Sequence, residues 1–303
     1  MTRHKPKIVW LQAITCNGNT HSLLSSNSSR FELFLNSFDL FYHPSLTTDT
    51  SLDDVINLEN IDFLLIEGAI TSSSDYFTIS DNNVLELLIK LANKASYIIS
   101  VGSCASFGGI HAKFDEDKSI KGVPDYLNNL ELNNLKQKII NLTGCPVHPE
   151  WILQTLFTLK NNKKILLDDK QRPKEIYYGL AHHGCTRNEY FEWKVEAKSF
   201  GVKEGCLFYE QGCRGPMTHS NCNRVLWNDV NTKTRAGMPC IGCTEFDFPR
   251  ENMLETKKNI GIPTQVPLGI NKRAYLTITG VAKTFKIDRL NNKLINKEEY
   301  ENS

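Results

Sequence analysis

The chain has 303 residues, 40% hydrophobic and 23% charged, with a net charge of +1. That is an ordinary globular profile for one large or two ordinary domains, without the charge excess that nucleic acid or an anionic membrane would call for. Nine cysteines, an odd number, exclude complete pairing into disulfides.

Met1 to Lys7 leads directly into Ile8-Val9-Trp10-Leu11, with no apolar export signal and no twin-arginine pair. No run reaches the ~18 apolar residues of a transmembrane helix. The expected setting is cytoplasmic, where free thiols persist and metal binding is favoured over disulfides. Ile8 to Ala13 is a short apolar run before a glycine-containing loop, the pattern of a buried strand. Ile61-Asp62-Phe63-Leu64-Leu65-Ile66, closed by Glu67-Gly68, is a second. A helix is predicted over Asn83 to Asn93, with Val84, Leu85, Leu87, Leu88 and Leu91 at helical spacing and Asp81 as its N-cap. Tyr97 to Val101, closed by Gly102-Ser103-Cys104, is a third strand. Lys138 to Leu142, closed by Thr143-Gly144-Cys145-Pro146, is a fourth. Pro149 to Leu159 reads as a helix with Pro and Glu in its first turn.

Strands alternating with helices predict an α/β fold over residues 1–160, a doubly wound, mostly parallel sheet. Such sheets bind ligands beyond the carboxyl ends of their strands. Cys16, Glu67, Cys104 and Cys145 all fall at that kind of position. After a polar segment, residues 175–303 hold six cysteines with many Gly and Pro and little periodicity. This predicts a second domain held largely by metal centres, whose binding supplies folding free energy. The C-terminal end, rich in Lys, Asn and Glu, reads as a surface helix or tail.

The cysteines fall into three sets, and soft thiolates select iron–sulfur clusters, zinc or copper. Cys16, Cys104 and Cys145 stand singly in glycine-rich loops after three different strands, unlike a zinc ribbon. Buried structural cysteine is an ordinary reading of any one of them and a weak reading of all three. Gly18, Gly108, Gly109 and Gly144 would let backbone N–H groups approach cluster sulfurs. Glu67 reads as a residue of this site or of a subunit interface, against an acid that merely caps its loop. His182-His183-Gly184-Cys185, with Cys206 and Cys213, offers a Cys3His set that suits zinc or a cluster, the two histidines being rivals. Cys222, Cys240 and Cys243 supply three thiolates, with no unused cysteine for a fourth. Three thiolates suit a three-iron cluster, or a four-iron cluster with one other ligand. The Cys240-Ile241-Gly242-Cys243 motif alone also fits zinc or a redox dithiol, but it lies in the loop-rich half.

Trp10-Leu11-Gln12 leading to Cys16-Asn17-Gly18 resembles the opening of the small subunit of nickel–iron hydrogenases. Glu67-Gly68-Ala69-Ile70, the segment from Gly102 to Ile110 and Gly144-Cys145-Pro146 share that resemblance. His182 to Tyr190, Gly212-Cys213-Arg214-Gly215-Pro216, Asn221-Cys222 and Pro239 to Cys243 continue it in order, over residues 7–250. The resemblance implies a flavodoxin-like domain over 1–160 and an irregular iron–sulfur domain over 175–303. It implies a proximal cluster on Cys16, Cys104 and Cys145, and a distal 4Fe–4S cluster on His182, Cys185, Cys206 and Cys213. Cys222, Cys240 and Cys243 would bind a medial 3Fe–4S cluster. It further implies a nickel–iron centre in a separate large subunit, hydrogen oxidation as the reaction, and electrons passed through this chain to a downstream acceptor.

Two features depart from the family. Asn19 stands where a fourth proximal cysteine is usual, and an amide oxygen is a harder, weaker iron ligand than thiolate. Either Asn19 binds a 4Fe–4S cluster, or the site is three-iron or takes a ligand from water or a nearby side chain. The Cys206–Cys213 interval is one residue longer than in the family. Asn19 and the Thr186 to Glu189 wording resemble the cytosolic uptake branch and its hydrogen-sensing relatives. An uptake enzyme is therefore expected, with a sensor as the alternative inside the family and a zinc-stabilised module as the alternative outside it. The cluster-bearing member of respiratory complex I shares the N-terminal fold but lacks the six-cysteine half.

Overall fold

The computed structural model describes residues 5–73, 77–79, 82–129, 132–259 and 262–284. Strands β1 (Lys7–Gln12), β2 (Asp39–Tyr42), β3 (Ile61–Glu67), β4 (Ala95–Val101) and β5 (Ile139–Leu142) form one parallel sheet. Their order is β2-β1-β3-β4-β5, the flavodoxin order, which reverses direction beside β1 and β3. Four of the five follow the apolar runs. The strand with no such signal, Asp39-Leu40-Phe41-Tyr42, pairs only with β1 at the sheet edge and is mostly half-buried.

Because helices cover both faces, the strands are apolar at successive positions rather than alternating. Val9, Leu11, Leu64, Ile66 and Ile98 point into one core, with Leu52 and Val55 of α3 (Leu52–Asn57) and Leu87, Leu88 and Leu91 of α4 (Val84–Lys94). Ile8, Trp10, Phe63, Leu65 and Ile99 point into the other. There they meet Leu23 of α1 (Gly18–Leu24), Phe34 of α2 (Ser28–Ser37) and Trp151, Ile152 and Leu156 of the helix Pro149–Lys160. Each such side chain contributes ~1.5–3 kcal/mol on burial. Helix α4 is capped by Asn83, whose side-chain oxygen accepts from Leu85 N at 2.9 Å and Glu86 N at 3.3 Å. Asp81, the sequence-based cap, lies outside the described residues. Among the described residues no helix is long and apolar enough to cross a membrane.

The chain divides into two compact units, and the division departs from the single boundary expected between 160 and 175. The first unit holds 1–179, 219–230 and 243–250; the second holds 180–218, 231–242 and the chain from 251 onward. The segment 243–250 belongs with the first unit for a polar reason. Arg172, buried, pairs with Asp168 at 2.8 Å and Glu245 at 3.5 Å, and donates to the Thr244 carbonyl.

Among the described residues regular structure is sparse in the second unit: short helical turns at Ala181–Gly184, Asn188–Glu192 and Gly215–Met217, a two-residue strand pair and the helix Lys272–Thr284. Loop carbonyls there need donors from elsewhere. The buried Arg187 guanidinium supplies them to Val202, Glu204, Gly205 and Thr234.

Candidate metal centres

The carboxyl ends of β1, β3, β4 and β5 meet at one end of the sheet, and the first cysteine set stands on the loops that leave them. Cys16 is exposed, and Cys104 and Cys145 are half-buried. Cys104 lies in the short helix α5 (Ser103–Phe107), entered through Gly102 at φ +98°. Burial raises its thiol pKa, the N–H groups of Ile110 and His111 oppose the rise, and nearby Cys16 and Glu67 add to it. A Cβ on Gly109 would lie 2.8 Å from Cys104 Sγ, and one on Gly18 3.3 Å from Cys16 Sγ. Glycine therefore leaves open space beside two of the three sulfurs. Ser103 ties the Cys104 and Cys145 loops together. Its N–H donates to the Gly144 carbonyl at 2.9 Å, and its hydroxyl accepts from Gly144 N at 3.0 Å.

Glu67 ends β3 and is fully buried. Oε1 accepts from Thr15 Oγ1 at 3.2 Å, Asn19 N at 3.0 Å and Thr20 N at 3.3 Å. Oε2 accepts from Trp10 Nε1 at 3.1 Å and Thr20 Oγ1 at 2.5 Å. Helix α1 has no side-chain cap of its own, because Asn17 ahead of it is left-handed at φ 59°. Glu67 receives the N–H groups of its second and third residues and places negative charge at its N-terminus. The acid thus caps the Cys16 loop from a neighbouring strand.

Asn19 is also buried, and its carboxamide is engaged at both ends: Oδ1 accepts from Val147 N at 2.9 Å and Nδ2 donates to the Val101 carbonyl at 3.2 Å. His43, which sequence reasoning missed, is fully buried behind this network. Its Nδ1 accepts from Ser45 N at 3.1 Å, so Nε2 carries the proton and donates to Thr20 Oγ1 at 3.2 Å. Burial pulls its pKa from 6.5 to about 4. A lone histidine after an edge strand gives no signal of this.

The second set lies wholly in the second unit. His183 is exposed, whereas His182 is half-buried with its ring edge-on to Phe191 at 4.6 Å. Burial, aided by His183 and Lys194, lowers the His182 pKa to about 4, leaving the neutral imidazole that metal ligation requires. Gly215 lies beside Cys213 and His182, its Cβ position 3.6 Å from Cys213 Sγ and 3.7 Å from the His182 backbone N. Burial pushes the Cys206 thiol up to about 12; Phe208 N–H opposes the rise, and Cys213 and Cys185 beside it add to it. Backbone N–H groups reach the sulfurs from Arg187 to Cys185 at 3.4 Å, from Phe208 to Cys206 at 3.4 Å and from Cys240 to Cys213 at 3.3 Å. The long Cys206–Cys213 interval closes as a turn, with Gln211 N and Cys213 N both donating to the Leu207 carbonyl and Gly212 left-handed at φ 69°.

The third set is divided by the unit boundary. Cys222 and Cys243 belong to the first unit and Cys240 to the second. Cys222 Sγ is 3.2 Å from Ser220 Oγ, and the Cys243 carbonyl accepts from Ser103 Oγ. Cys240 is buried, with Sγ 3.7 Å from Thr218 Oγ1.

None of the nine cysteines forms a disulfide. Among the described residues no three His, Cys, Asp or Glu side chains are grouped around a single-ion position. The donor chemistry at the first and second sets suits an iron–sulfur group: soft thiols outside any disulfide, backbone N–H groups aimed at sulfur and, at the first set, glycines that leave room beside it.

Two family models match the chain. Residues 16–159 match the 20 kDa subunit of NADH ubiquinone oxidoreductase, and residues 177–255 match the C-terminal region of the NiFe/NiFeSe hydrogenase small subunit. The periplasmic NiFe hydrogenase small subunit 1 of Nitratidesulfovibrio vulgaris is 32% identical over 257 residues, covering 80% of this chain and 80% of that protein. The recombinant NiFeSe hydrogenase of Desulfovibrio vulgaris Hildenborough in the oxidized state superposes with a TM-score of 0.75 at 28% identity, covering 84% of this chain and 99% of that one. The actinobacterial-type NiFe-hydrogenase of Ralstonia eutropha does so with a TM-score of 0.71 at 25% identity, covering 96% and 94%.

Proposed function

The chain belongs to the small-subunit family of nickel–iron hydrogenases, and from that premise we propose that it is the electron relay of an uptake enzyme. It pairs with a large subunit, holds iron–sulfur clusters and takes part in hydrogen oxidation without binding the nickel–iron centre itself. The finer assignment puts the proximal cluster on Cys16, Cys104 and Cys145. His182, Cys185, Cys206 and Cys213 take a distal 4Fe–4S cluster, and Cys222, Cys240 and Cys243 a medial 3Fe–4S cluster. Bound clusters supply one-electron carriers whose potentials follow ligand charge, hydrogen bonds to sulfur and exposure.

The observation that carries the reading is the meeting of three single-cysteine loops at the carboxyl ends of β1, β4 and β5. This chain's residues hold those thiols apart and fixed. Glu67 caps the Cys16 helix, Ser103 stitches the Cys104 and Cys145 loops, and glycines keep the space beside sulfur open. At the second set the half-buried, neutral His182 offers a nitrogen ligand. One imidazole in place of a thiolate would raise the potential of a cluster held there. A cytoplasmic setting is part of the proposal, supported by nine cysteines of which none is in a disulfide. The Nitratidesulfovibrio relative is named periplasmic, and cell fractionation decides between the two settings.

The test is anaerobic co-purification with the large subunit, counting of iron and acid-labile sulfide, and hydrogen-dependent reduction of a viologen dye. The expected preparation is brown, paramagnetic on reduction and active. Stoichiometric zinc without labile sulfide would sink the cluster reading. Full clusters with negligible dye reduction, together with a hydrogen-dependent signalling phenotype, would favour the sensor.

A further inference from the structure

We propose that Asn19 is not an iron ligand but the clamp that fixes the three loops of a proximal site with only three protein thiolates. The inference rests on the proximal assignment above and goes beyond it.

Both ends of the Asn19 carboxamide are already committed. Oδ1 accepts from Val147 N at 2.9 Å, and Nδ2 donates to the Val101 carbonyl at 3.2 Å. Its own N–H donates to Glu67 Oε1 at 3.0 Å. The residue is 8% exposed, and Val101 and Val147 are fully buried. Those partners mark the loops that matter, because Val101 lies three residues before Cys104 and Val147 two residues after Cys145. Asn19 itself lies three residues after Cys16. One side chain therefore joins the backbones of all three thiolate-bearing segments.

The fold is also shaped around the carboxamide. A Cβ on Gly102 would lie 2.5 Å from Asn19 Nδ2 and 2.9 Å from Oδ1, so only glycine leaves the amide its place. To turn towards iron, Oδ1 would abandon Val147 N, leaving a buried backbone N–H unpaired. The return would be a neutral, hard oxygen contact to a metal that prefers sulfur. A cysteine at position 19 could offer a fourth thiolate, but it could not both accept from Val147 and donate to Val101. The residue thus serves as a cross-loop tie, and Cys16, Cys104 and Cys145 would be the thiolates left to hold the group.

The test uses the small–large complex, purified anaerobically from cells fed asparagine labelled with carbon-13 at its side-chain carbonyl. Pulsed paramagnetic resonance of the proximal signal is expected to show no resolved carbon-13 coupling. A resolved coupling that disappears in Asn19→Ala overturns the proposal. The Asn19→Ala complex is expected to keep the g-values and midpoint potential of the proximal centre while its Tm falls by roughly 5 °C, since two buried partners lose their hydrogen bonds. Asn19→Asp keeps the acceptor for Val147 but loses the donor to Val101, so its Tm falls too. A ligating carboxylate would instead lower the potential, and that result counts against the clamp. If the alanine variant does not assemble, the labelled unmodified complex decides alone. A preparation without labile sulfide defeats the functional reading as well, whereas carbon-13 coupling defeats this inference only.

Discussion

Replacing Glu67 by glutamine tests whether the buried acid is an anchor or a ligand. The change keeps volume and one oxygen and removes the charge. Every polar atom that meets the carboxylate is a donor, so the new NH2 group must face donors whichever way it turns. On the Oε2 side it faces Trp10 Nε1 at 3.1 Å and Thr20 Oγ1 at 2.5 Å. The threonine hydroxyl can rotate, but the indole N–H cannot, and it is left buried without an acceptor. On the Oε1 side it faces two backbone N–H groups and the Thr15 hydroxyl.

An unpaired buried donor costs ~1–3 kcal/mol, and the surviving bonds fall from charge-assisted to neutral strength. The total is about 3 kcal/mol for Glu67→Gln. It is larger for Glu67→Ala, which strands the N–H groups of Trp10, Asn19 and Thr20 together and opens a cavity. At ~2–4 °C per kcal/mol for a fold of this size, glutamine lowers Tm by roughly 6–12 °C. Thermal denaturation of the anaerobic complex measures this, and iron release to a chelator reports on the Cys16 loop, which should loosen in step. A glutamine variant within ~0.5 kcal/mol of the parent, with an altered proximal signal, would refute the anchor and make Glu67 a ligand.

Three further outcomes follow from the same geometry. Gly109→Ala puts a Cβ 2.8 Å from Cys104 Sγ at a left-handed φ of 54°, so it should strip the proximal centre while iron at the other sets is retained, as metal counting and paramagnetic resonance would record. His182→Ala should remove the distal signal and His183→Ala should leave it intact, because His182 is the half-buried, neutral ring and His183 is exposed; equal loss in both would remove the assignment. His43 has a folded pKa of about 4 against 6.5 unfolded, so the unfolded chain protonates first. Its contribution is complete above pH ~6.5 and is lost as pH falls towards 4, up to ~3 kcal/mol. His43→Gln should flatten the dependence of Tm on pH across that window.

The sheet was legible because its central strands are buried on both faces and must read as apolar runs. Ile61–Glu67 carries Phe63-Leu64-Leu65-Ile66, and Ala95–Val101 carries Ile98-Ile99 and Val101, apolar runs closed by glycine. The edge strand Asp39–Tyr42 faces half-polar surroundings and pairs on one side, so its composition carries no such demand. The Asn83 cap lay beyond sequence reasoning because Asp81 and Asn83 are equally good cap residues, and only the backbone path chooses between them. At the first set, glycines and single cysteines after strands announced a convergent site. The roles of Glu67 and Asn19 were open because their partners, Trp10, Val101 and Val147, offer backbone or indole groups that leave no pattern in the sequence. The division into units was hidden for a related reason: the segment 243–250 is held in the first by the Arg172 to Glu245 pairing, a contact between positions distant in sequence.

The two halves of the chain would hold the proposed clusters under different physical conditions. The first set stands on a sheet with two apolar cores, and its loops are tied by Glu67, Asn19 and Ser103 without any metal taking part. Each tie is a buried polar group whose partner lies on another loop, so releasing one loop exposes the others to an unpaired donor or acceptor. Such a site is paid for by the fold and can be specific about where each sulfur stands. The second set does not stand on that sheet; Arg187 and short turns organise its loops, and burial pushes the Cys206 thiol towards its protonated form. Binding there must drive protons off the sulfurs and complete the ordering of the loops at the same time, which couples metal affinity to folding and to pH. Loss of one ligand is therefore a local chemical change at the first set and a structural one at the second. On the proposed assignment, the fold could therefore carry an asparagine beside β1, where the scaffold holds the loops together without a ligand there, whereas the second set would need all four of its candidate ligands.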